Sequence, residues 1–238
     1  MSARDSRITW AKLLILLGMG IYLTQLIISG NLTNYINQRF AWLAYVGAGI
    51  FFALALASLL QRIMPSLHGH QHYRIGWDIL LIAAFPLALA LLIPSRSLGI
   101  EAINGGVSLR PVGVGNAATF ARSPLDRNIL DWLREFSRAT PAEFNDLPVD
   151  VIGFVYREPV HAADEFLVSR FTMSCCVADA FPIGMPARAD FIDEVAVGSW
   201  VRVQGRLTAA NFAGEPLPVI TVESLEPVDE PEQPYLYP

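Results

Sequence analysis

The sequence predicts a membrane-anchored protein of mixed class, α followed by all-β. It comprises two to three N-terminal transmembrane helices, then a small OB-like β-barrel domain with one short helix. Apolar residues make up 53% of the 238 residues and include uncharged runs long enough to cross a bilayer. In the second half of the chain the hydrophobic period changes to two, which is typical of strands. Charge is also divided between the halves.

The charge changes sign along the chain. Up to Arg110 there are eight basic and three acidic residues, whereas from Ala121 onward there are nine basic and nineteen acidic residues. An acidic domain repels the phosphate backbone of nucleic acids, so nucleic acid is not an expected partner.

Residues 1–96 are predicted to form the transmembrane region, with helices at about 10–30, 41–61 and 77–94. The first two apolar runs can cross a ~30 Å hydrocarbon core at ~1.5 Å per residue. A signal peptide is the competing interpretation of the first run, which is longer than a normal signal-peptide core. The third run is shorter and contains Pro86, so it either spans or lies in the interface. The apolar cores of these runs contain no Asp, Glu, Lys, Arg or His, which argues against a transporter acting alone.

The distribution of basic residues predicts the orientation of the membrane region. Five Lys or Arg residues lie in the N-terminus and the loop after the second run, against three in the other connections. The positive-inside rule then places the N-terminus in the cytoplasm. With three spans, a multi-pass arrangement in the cell membrane leaves the C-terminal domain extracytoplasmic. With two, that domain is cytoplasmic.

Two features of the membrane region are candidate sites. Small residues repeat every four positions in the second run; they are Gly49, Ala53 and Ala57. They either form a surface on which another helix packs or are present only because Gly and Ala are common in membrane helices. Histidines at alternate positions in the following loop predict either a weak Zn²⁺ or Ni²⁺ site or a plain polar loop; they are His68, His70 and His72.

Residues 97–122 are predicted to be a linker, because they contain several glycines and lack periodicity. Residues 123–238 are predicted to form the OB-like domain, beginning with a short helix that has Ser123 as its N-cap and Pro124 at its first position. Five strands are expected, at 149–157, 165–174, 187–192, 199–208 and 218–225. This pattern fits a small closed barrel, and a small sandwich would give the same pattern. The acidic, proline-rich tail has tyrosines that dock on the domain or on a partner.

The segment from Arg170 to Gly184 contains both cysteines, Cys175 and Cys176, followed by Asp179 and a Pro-Ile-Gly sequence that reads as a turn. An internal disulfide is not expected, because neighbouring Cα atoms lie ~3.8 Å apart and disulfides usually need ~4.4–6.8 Å.

Three interpretations of the cysteine segment remain open. The first is a thiolate metal site for Zn²⁺ or Cu(I), made by the two cysteines with Asp179 or His161. The second is a redox or covalent thiol pair, for which Arg170 is the only local cation. The third is a structural segment in which Asp179 caps a turn. No catalytic motif is present, so no catalytic residue is expected and the protein is not predicted to be an enzyme.

The segment R-F-T-M-S-C-C-V-A-D-A-F-P-I-G resembles the R-x-x-M-(S/T)-C-C-x-A-D-A-x-P-x-G signature of the YcgQ-like membrane proteins. The stretches V-D-V-I-G-F-V-Y-R-E-P and G-S-W-V-R-V-Q-G-R-L and the terminal P-x-x-P-Y-L-Y match the same family, so the resemblance covers the whole chain. It implies a companion multi-span permease of the type grouped with organoarsenical and metal-related exporters. The histidine loop is shorter here than in many relatives, which weakens the metal interpretation of that loop.

Together these observations predict an integral-membrane accessory subunit of a permease. Its partners are membrane lipid and a multi-span permease, and it presents a β domain with a vicinal-cysteine segment. The alternative is a stand-alone membrane-tethered metal-binding or metal-sensing domain. The candidate cofactor is Zn²⁺ or another thiophilic metal.

Overall fold

The computed structural model divides the chain into two compact units, Met1–Arg96 and Ser97–Pro238. The residues that it describes are 3–64, 76–110, 123–192 and 195–238.

The first unit contains the apolar helices α1 (Ala3–Ile28), α2 (Trp42–Ile63) and α3 (Trp77–Leu92). The first two are long and apolar enough to cross a membrane, over Ser6–Ile28 and Gln38–Ile63, and only 17% and 22% of these spans are buried within the unit. The core helix of a soluble protein would be mostly buried. α3 has 16 residues and a length of about 24 Å. The prediction of two to three apolar N-terminal helices is confirmed.

Small residues allow α1 to approach its neighbours closely. A Cβ added at Gly20 of α1 would lie 3.0 Å from the Phe52 ring of α2, and one added at Gly18 would lie 2.7 Å from Leu87 of α3. The buried positions of α2 are also small; they are Ala44, Ala48, Ala55 and Ser58. Such contacts hold helices together where lipid removes the hydrophobic driving force.

The described residues of the second unit form one α-helix and six strands: α4 (Ile129–Phe136), β1 (Pro148–Tyr156), β2 (Glu165–Thr172), β3 (Phe181–Arg188), β4 (Trp200–Phe212), β5 (Glu215–Pro227) and β6 (Tyr235–Leu236). They form one sheet in the order β1-β4-β5-β3-β2-β6, and β1 also pairs with β2. The pairings of β1 to β5 therefore form a closed circuit, in which each strand pairs with two others. The β3–β5 and β2–β6 pairs are parallel and the others antiparallel. A β domain with one short helix is thus confirmed.

The helix α4 begins later than the sequence predicts. Asn128, not Ser123, is its N-cap: the Asn128 side chain accepts a hydrogen bond from Asp131 N (3.0 Å), and the Asp131 carboxylate accepts one from Asn128 N (3.3 Å). This capping box outweighs the Ser-Pro signal, which forms only a short 3-10 turn at Pro124–Asp126. The apolar face of α4 packs into the core through Ile129, Leu130, Trp132 and Leu133.

The predicted third strand begins several residues too late, and the predicted Pro-Ile-Gly turn is wrong, because these residues lie inside β3. On the side of β3 away from β2, Gly184 N donates to Ser108 O (3.0 Å) and Ser108 N donates to Pro182 O (3.0 Å). In a strand the backbone nitrogens of Pro182 and Pro186 point to the same side as that of Gly184. The prolines therefore cost no hydrogen bond to β2.

The described part of the predicted linker, residues 97–110, belongs to the second unit, which differs from the sequence prediction. Leu98 and Ile100 pack against a cluster that contains Tyr235, and Val107 and Leu109 pack against a second cluster on the sheet. The apolar side chains of this segment pack at separate places on the sheet. The sequence of the segment therefore shows neither a helical nor a strand periodicity. The rest of that range, 111–122, lies outside the described residues.

The C-terminal tail docks on its own domain. Tyr235 in β6 is 2% exposed, and its hydroxyl accepts a hydrogen bond from Leu98 N (2.9 Å). β6 pairs with Phe171 and Thr172, at the part of β2 that β1 does not reach. The tail therefore completes the sheet beside the end of β2.

We expect Gly205→Ala to destabilise the β unit. Gly205 lies at the irregularity between β4 and β5, where an added Cβ would overlap the Thr221 carbonyl group and lie 3.1 Å from Val222 Cα. Because backbone atoms cannot swing away, the cost should be about 2 kcal/mol, or a melting point about 4–8 °C lower. Thermal unfolding of the full chain in detergent measures it.

The matched control is Ala209→Val, which adds methyl groups at an exposed position of the same strand. It should leave the melting point nearly unchanged. Equal melting points for Gly205→Ala and the unsubstituted chain would contradict this account of the β4–β5 contact.

Candidate functional site

The two cysteines lie in the connection between β2 and β3. The last residue of β2, Thr172, pairs with Phe181 of β3 and Leu236 of β6, and Met173 N donates to Leu236 O (2.9 Å). The chain then leaves the sheet, and a 3-10 turn at Val177–Asp179 leads into β3. The connection is therefore fixed by sheet pairing at both of its ends.

The carboxylate of Asp179 organises this connection. Its two oxygens accept hydrogen bonds from Ser174 N (3.0 Å) and Cys175 N (2.8 Å), and Asp179 N donates to Cys176 O (2.9 Å). Partial burial acts to raise the pKa of Asp179. Hydrogen bonds from the Cys175 side chain and from backbone N–H groups outweigh this and hold that pKa below its ordinary value. Asp179 thus caps the loop as an ionised group.

The thiols of Cys175 and Cys176 are brought together by this loop. Their sulfur atoms lie 3.6 Å apart, and both cysteines are free. Cys175 is exposed and Cys176 is half-buried. Adjacent side chains in a strand would point to opposite faces, but the bend at Ser174 and Cys175 removes that alternation. The pair therefore presents two sulfur atoms on one side of the loop.

The environment of Cys175 keeps its thiol protonated. Hydrogen bonding to the Asp179 carboxylate, with a smaller effect from Cys176, raises the pKa of Cys175 to about 12. Reactive cysteines have the opposite environment, with a nearby cation that lowers the thiol pKa. The geometry therefore does not favour the redox interpretation.

Arg170, the local cation in the sequence, is directed to the tail. Its Nε donates to Pro234 O (3.2 Å), a terminal nitrogen donates to Gln233 O, and the guanidinium lies 5.6 Å from the centre of the Trp200 ring. Burial lowers the pKa of Arg170 to about 10. These contacts anchor the tail along the second half of β2.

His161 lies in the loop between β1 and β2, away from the cysteines. Its Nδ1 accepts a hydrogen bond from Glu158 N (3.1 Å), its ring packs 5.0 Å from the Phe212 ring, and burial lowers its pKa. The loop precedes β2 and the cysteines follow it, so the length of an eight-residue strand, about 25 Å, separates them. Across the described ranges, no group of three or more His, Cys, Asp or Glu side chains is placed to hold a metal ion.

The remaining candidate residues lie in the first unit. Gly49, Ala53 and Ala57 are exposed on α2, and no atom lies within 4 Å of the position that a Cβ of Gly49 would take. They are not the residues that α2 buries against its neighbours. His68, His70 and His72 lie outside the described residues.

Sequence reasoning missed a cavity of about 550 Å³ in the second unit. It lies between α4, β3 and the β4–β5 hairpin, and its lining includes Arg110, Leu133, Phe136, Pro186, Pro216 and Pro218. The alternate prolines of β5 were the available signal, since proline removes ladder hydrogen bonds and exposes an apolar ring.

Comparison with known families accounts for both units. The DUF1980 N-terminal domain matches residues 11–105, and the DUF1980 C-terminal domain matches residues 125–238. The chain belongs to the DUF1980, or YcgQ-like, family. The predicted resemblance is thereby confirmed.

Two curated relatives of this DUF1980 chain align over nearly their whole length. A protein of Streptococcus mutans, named "Putative two-component membrane permease complex subunit", is 23% identical over 273 residues, covering 95% of this chain and 98% of the relative. UPF0703 protein YcgQ of Bacillus subtilis is 22% identical over 283 residues, with the same coverage of each chain. The cysteine segment lies in the C-terminal DUF1980 domain.

We expect Asp179→Asn to increase the reactivity of Cys175. Removing the negative charge lowers the thiol pKa from about 12, so a larger fraction is thiolate at a fixed pH. The rate of alkylation by iodoacetamide at pH 8 should rise at least about tenfold. A Cys176→Ser background assigns the rate to Cys175.

Glu223→Gln is the matched control, because it removes an exposed carboxylate elsewhere on the β unit. It should leave the alkylation rate unchanged. If Asp179→Asn labels no faster than the parent while its melting point stays the same, the carboxylate does not control this thiol.

Proposed function

We propose that this chain is an integral-membrane accessory subunit of a permease, which presents its β domain and cysteine segment to a multi-span partner. The observation that carries the proposal is the relative named as a subunit of a two-component membrane permease complex. The alignment covers 95% of this chain and 98% of that relative. Similarity of that extent includes the membrane helices as well as the β domain, as a shared subunit role requires.

We further propose a multi-pass arrangement with an extracytoplasmic β domain. The helices α1 and α2 supply two spans by length and composition. α3 supplies the third, since its flanking residues extend its length of about 24 Å toward the thickness of the hydrocarbon core. With three spans, the positive-inside rule supports an N-terminus inside and a β domain outside.

The proposed surface for the partner is the face of α2 that carries Gly49, Ala53 and Ala57. These small residues are exposed, while α2 buries other positions within the first unit. A face of small residues lets a second helix approach closely, which favours association in lipid.

For the β domain we propose the OB-type barrel. The pairing circuit of β1 through β5 supports this assignment, because each of these strands has a neighbour on both sides. OB-type domains are binding modules, and the relative's name describes a permease subunit rather than an enzyme. We propose no catalytic residue.

A second candidate function is a stand-alone membrane-tethered metal-binding or metal-sensing domain. The 3.6 Å separation of the two sulfur atoms favours it. This candidate needs no permease, so the presence of a partner distinguishes the two functions.

We expect the chain, purified in mild detergent from its own cells, to bring down one multi-span membrane protein. Substituting Gly49, Ala53 and Ala57 together by Leu should reduce its recovery at least about tenfold, because the larger side chains prevent close approach. Quantitative mass spectrometry of the eluate measures the recovery.

Ala83→Leu on α3 is the matched control, since it enlarges an exposed alanine on another apolar helix. It should leave recovery unchanged. Absence of any multi-span protein from the wild-type eluate would leave the stand-alone domain as the function.

The orientation has its own test. In a chain with Cys175→Ser and Cys176→Ser, we expect Glu215→Cys, at an exposed site of the β4–β5 hairpin, to react with a membrane-impermeant maleimide on whole cells. Labelling only after lysis would place the β domain in the cytoplasm and leave two spans.

A further inference from the structure

We propose that Cys175 and Cys176 form a two-thiolate binding site for Cu(I) in this chain. We further infer that Cu(I) is the cargo that the β domain exchanges with the partner, and this part rests on the proposed permease function. The binding site itself requires no partner.

The first step of the argument is the separation of the two sulfur atoms. A metal–sulfur bond is ~2.3 Å long, so an ion bound to both atoms at their 3.6 Å separation has a sulfur–metal–sulfur angle of roughly 100°. The two thiols are therefore close enough to share one ion. An ion with only two ligands prefers a wider angle, which a change of rotamer of the exposed Cys175 side chain provides.

The second step is the number of ligands. Among the described residues, no third His, Cys, Asp or Glu side chain is placed with the two cysteines to hold a metal ion. The Asp179 oxygens accept hydrogen bonds from Ser174 N and Cys175 N, and His161 lies in the loop before β2. Zn²⁺ sites in proteins usually have three or four side-chain ligands. Two thiolates alone instead suit a soft ion that accepts a low coordination number, which is the chemistry of Cu(I).

The third step is access and charge. Cys175 is exposed, and from residue 121 onward the chain has ten more acidic than basic residues. The negative potential attracts a cation. An exposed ion with two protein ligands also keeps a face open for a ligand from another molecule, so it can be passed on.

Binding is a simple exchange of protons for the metal. Both thiol protons go to solvent, and one Cu(I) bridges the two sulfur atoms with no change in oxidation state. No oxidant or reductant takes part in the step.

The test uses the full-length chain in detergent, reduced and under anaerobic conditions, titrated with Cu(I) against bathocuproine disulfonate. We expect one Cu(I) per chain. Cys175→Ser and Cys176→Ser should each weaken binding at least about tenfold, whereas the neighbouring Ser174→Ala should not. Replacing His68, His70 and His72 together by Ala should leave the stoichiometry at one, which excludes the histidine loop as the source.

Unchanged Cu(I) binding in either cysteine variant would overturn the site. Zn²⁺ held as tightly as Cu(I), in a parallel titration against a zinc chelator, would overturn the choice of ion. The Cys175→Ser, Cys176→Ser double variant should still recover the multi-span partner. If the wild-type chain recovers that partner but binds no Cu(I), only the copper site is rejected. If it binds Cu(I) but recovers no partner, the permease function and the role of Cu(I) as cargo are rejected.

Discussion

The cysteine segment depends on the carboxylate of Asp179. By accepting hydrogen bonds from Ser174 N and Cys175 N, it closes the loop after β2 and turns two adjacent side chains to one side. The same charge lies beside the Cys175 thiol and raises its pKa to about 12. One group thus sets both the geometry of the loop and the protonation of Cys175, so a substitution of Asp179 changes both together.

The position of the loop also depends on the C-terminal end of β2, which the C-terminal tail holds in place by pairing with it. β1 pairs with β2 at Leu167–Ser169, and β6 takes over at Phe171 and Thr172. Arg170, between these two pairings, holds the tail through the carbonyl groups of Gln233 and Pro234. Because its guanidinium serves the tail, the nearest cation in the sequence does not activate the thiols. The tail therefore acts on the cysteine segment by fixing the end of β2 and not by contributing a reactive group.

Much of this arrangement could be predicted from the sequence, because it rests on local periodicity. The apolar helices and the strands β1, β2 and β4 follow directly from runs of period 3.6 or 2. The start of β3 could not be predicted, since its prolines are tolerated only because the side of β3 away from β2 contacts Ser108, far earlier in the chain. Likewise, the packing of residues 97–110 depends on gaps that exist only in the folded sheet. The short distance between the two thiols depends on the bend at Ser174 and Cys175. The position of His161 depends on the order of the strands. Neither is visible in the local sequence.

A protonated thiol suits an ion site on an oxidising side of the membrane. The thiolate is the form that oxidises and exchanges with disulfides, so a thiol with a raised pKa resists both reactions. A soft metal ion still displaces the proton, because metal binding is coupled to its release. The Asp179 contact therefore slows oxidation of the Cys175 thiol, and it makes a bound metal ion compete with a more tightly held proton. An accessory subunit that offers its sulfur atoms outside the cell, as proposed, gains from a thiol that resists oxidation until a metal ion displaces its proton.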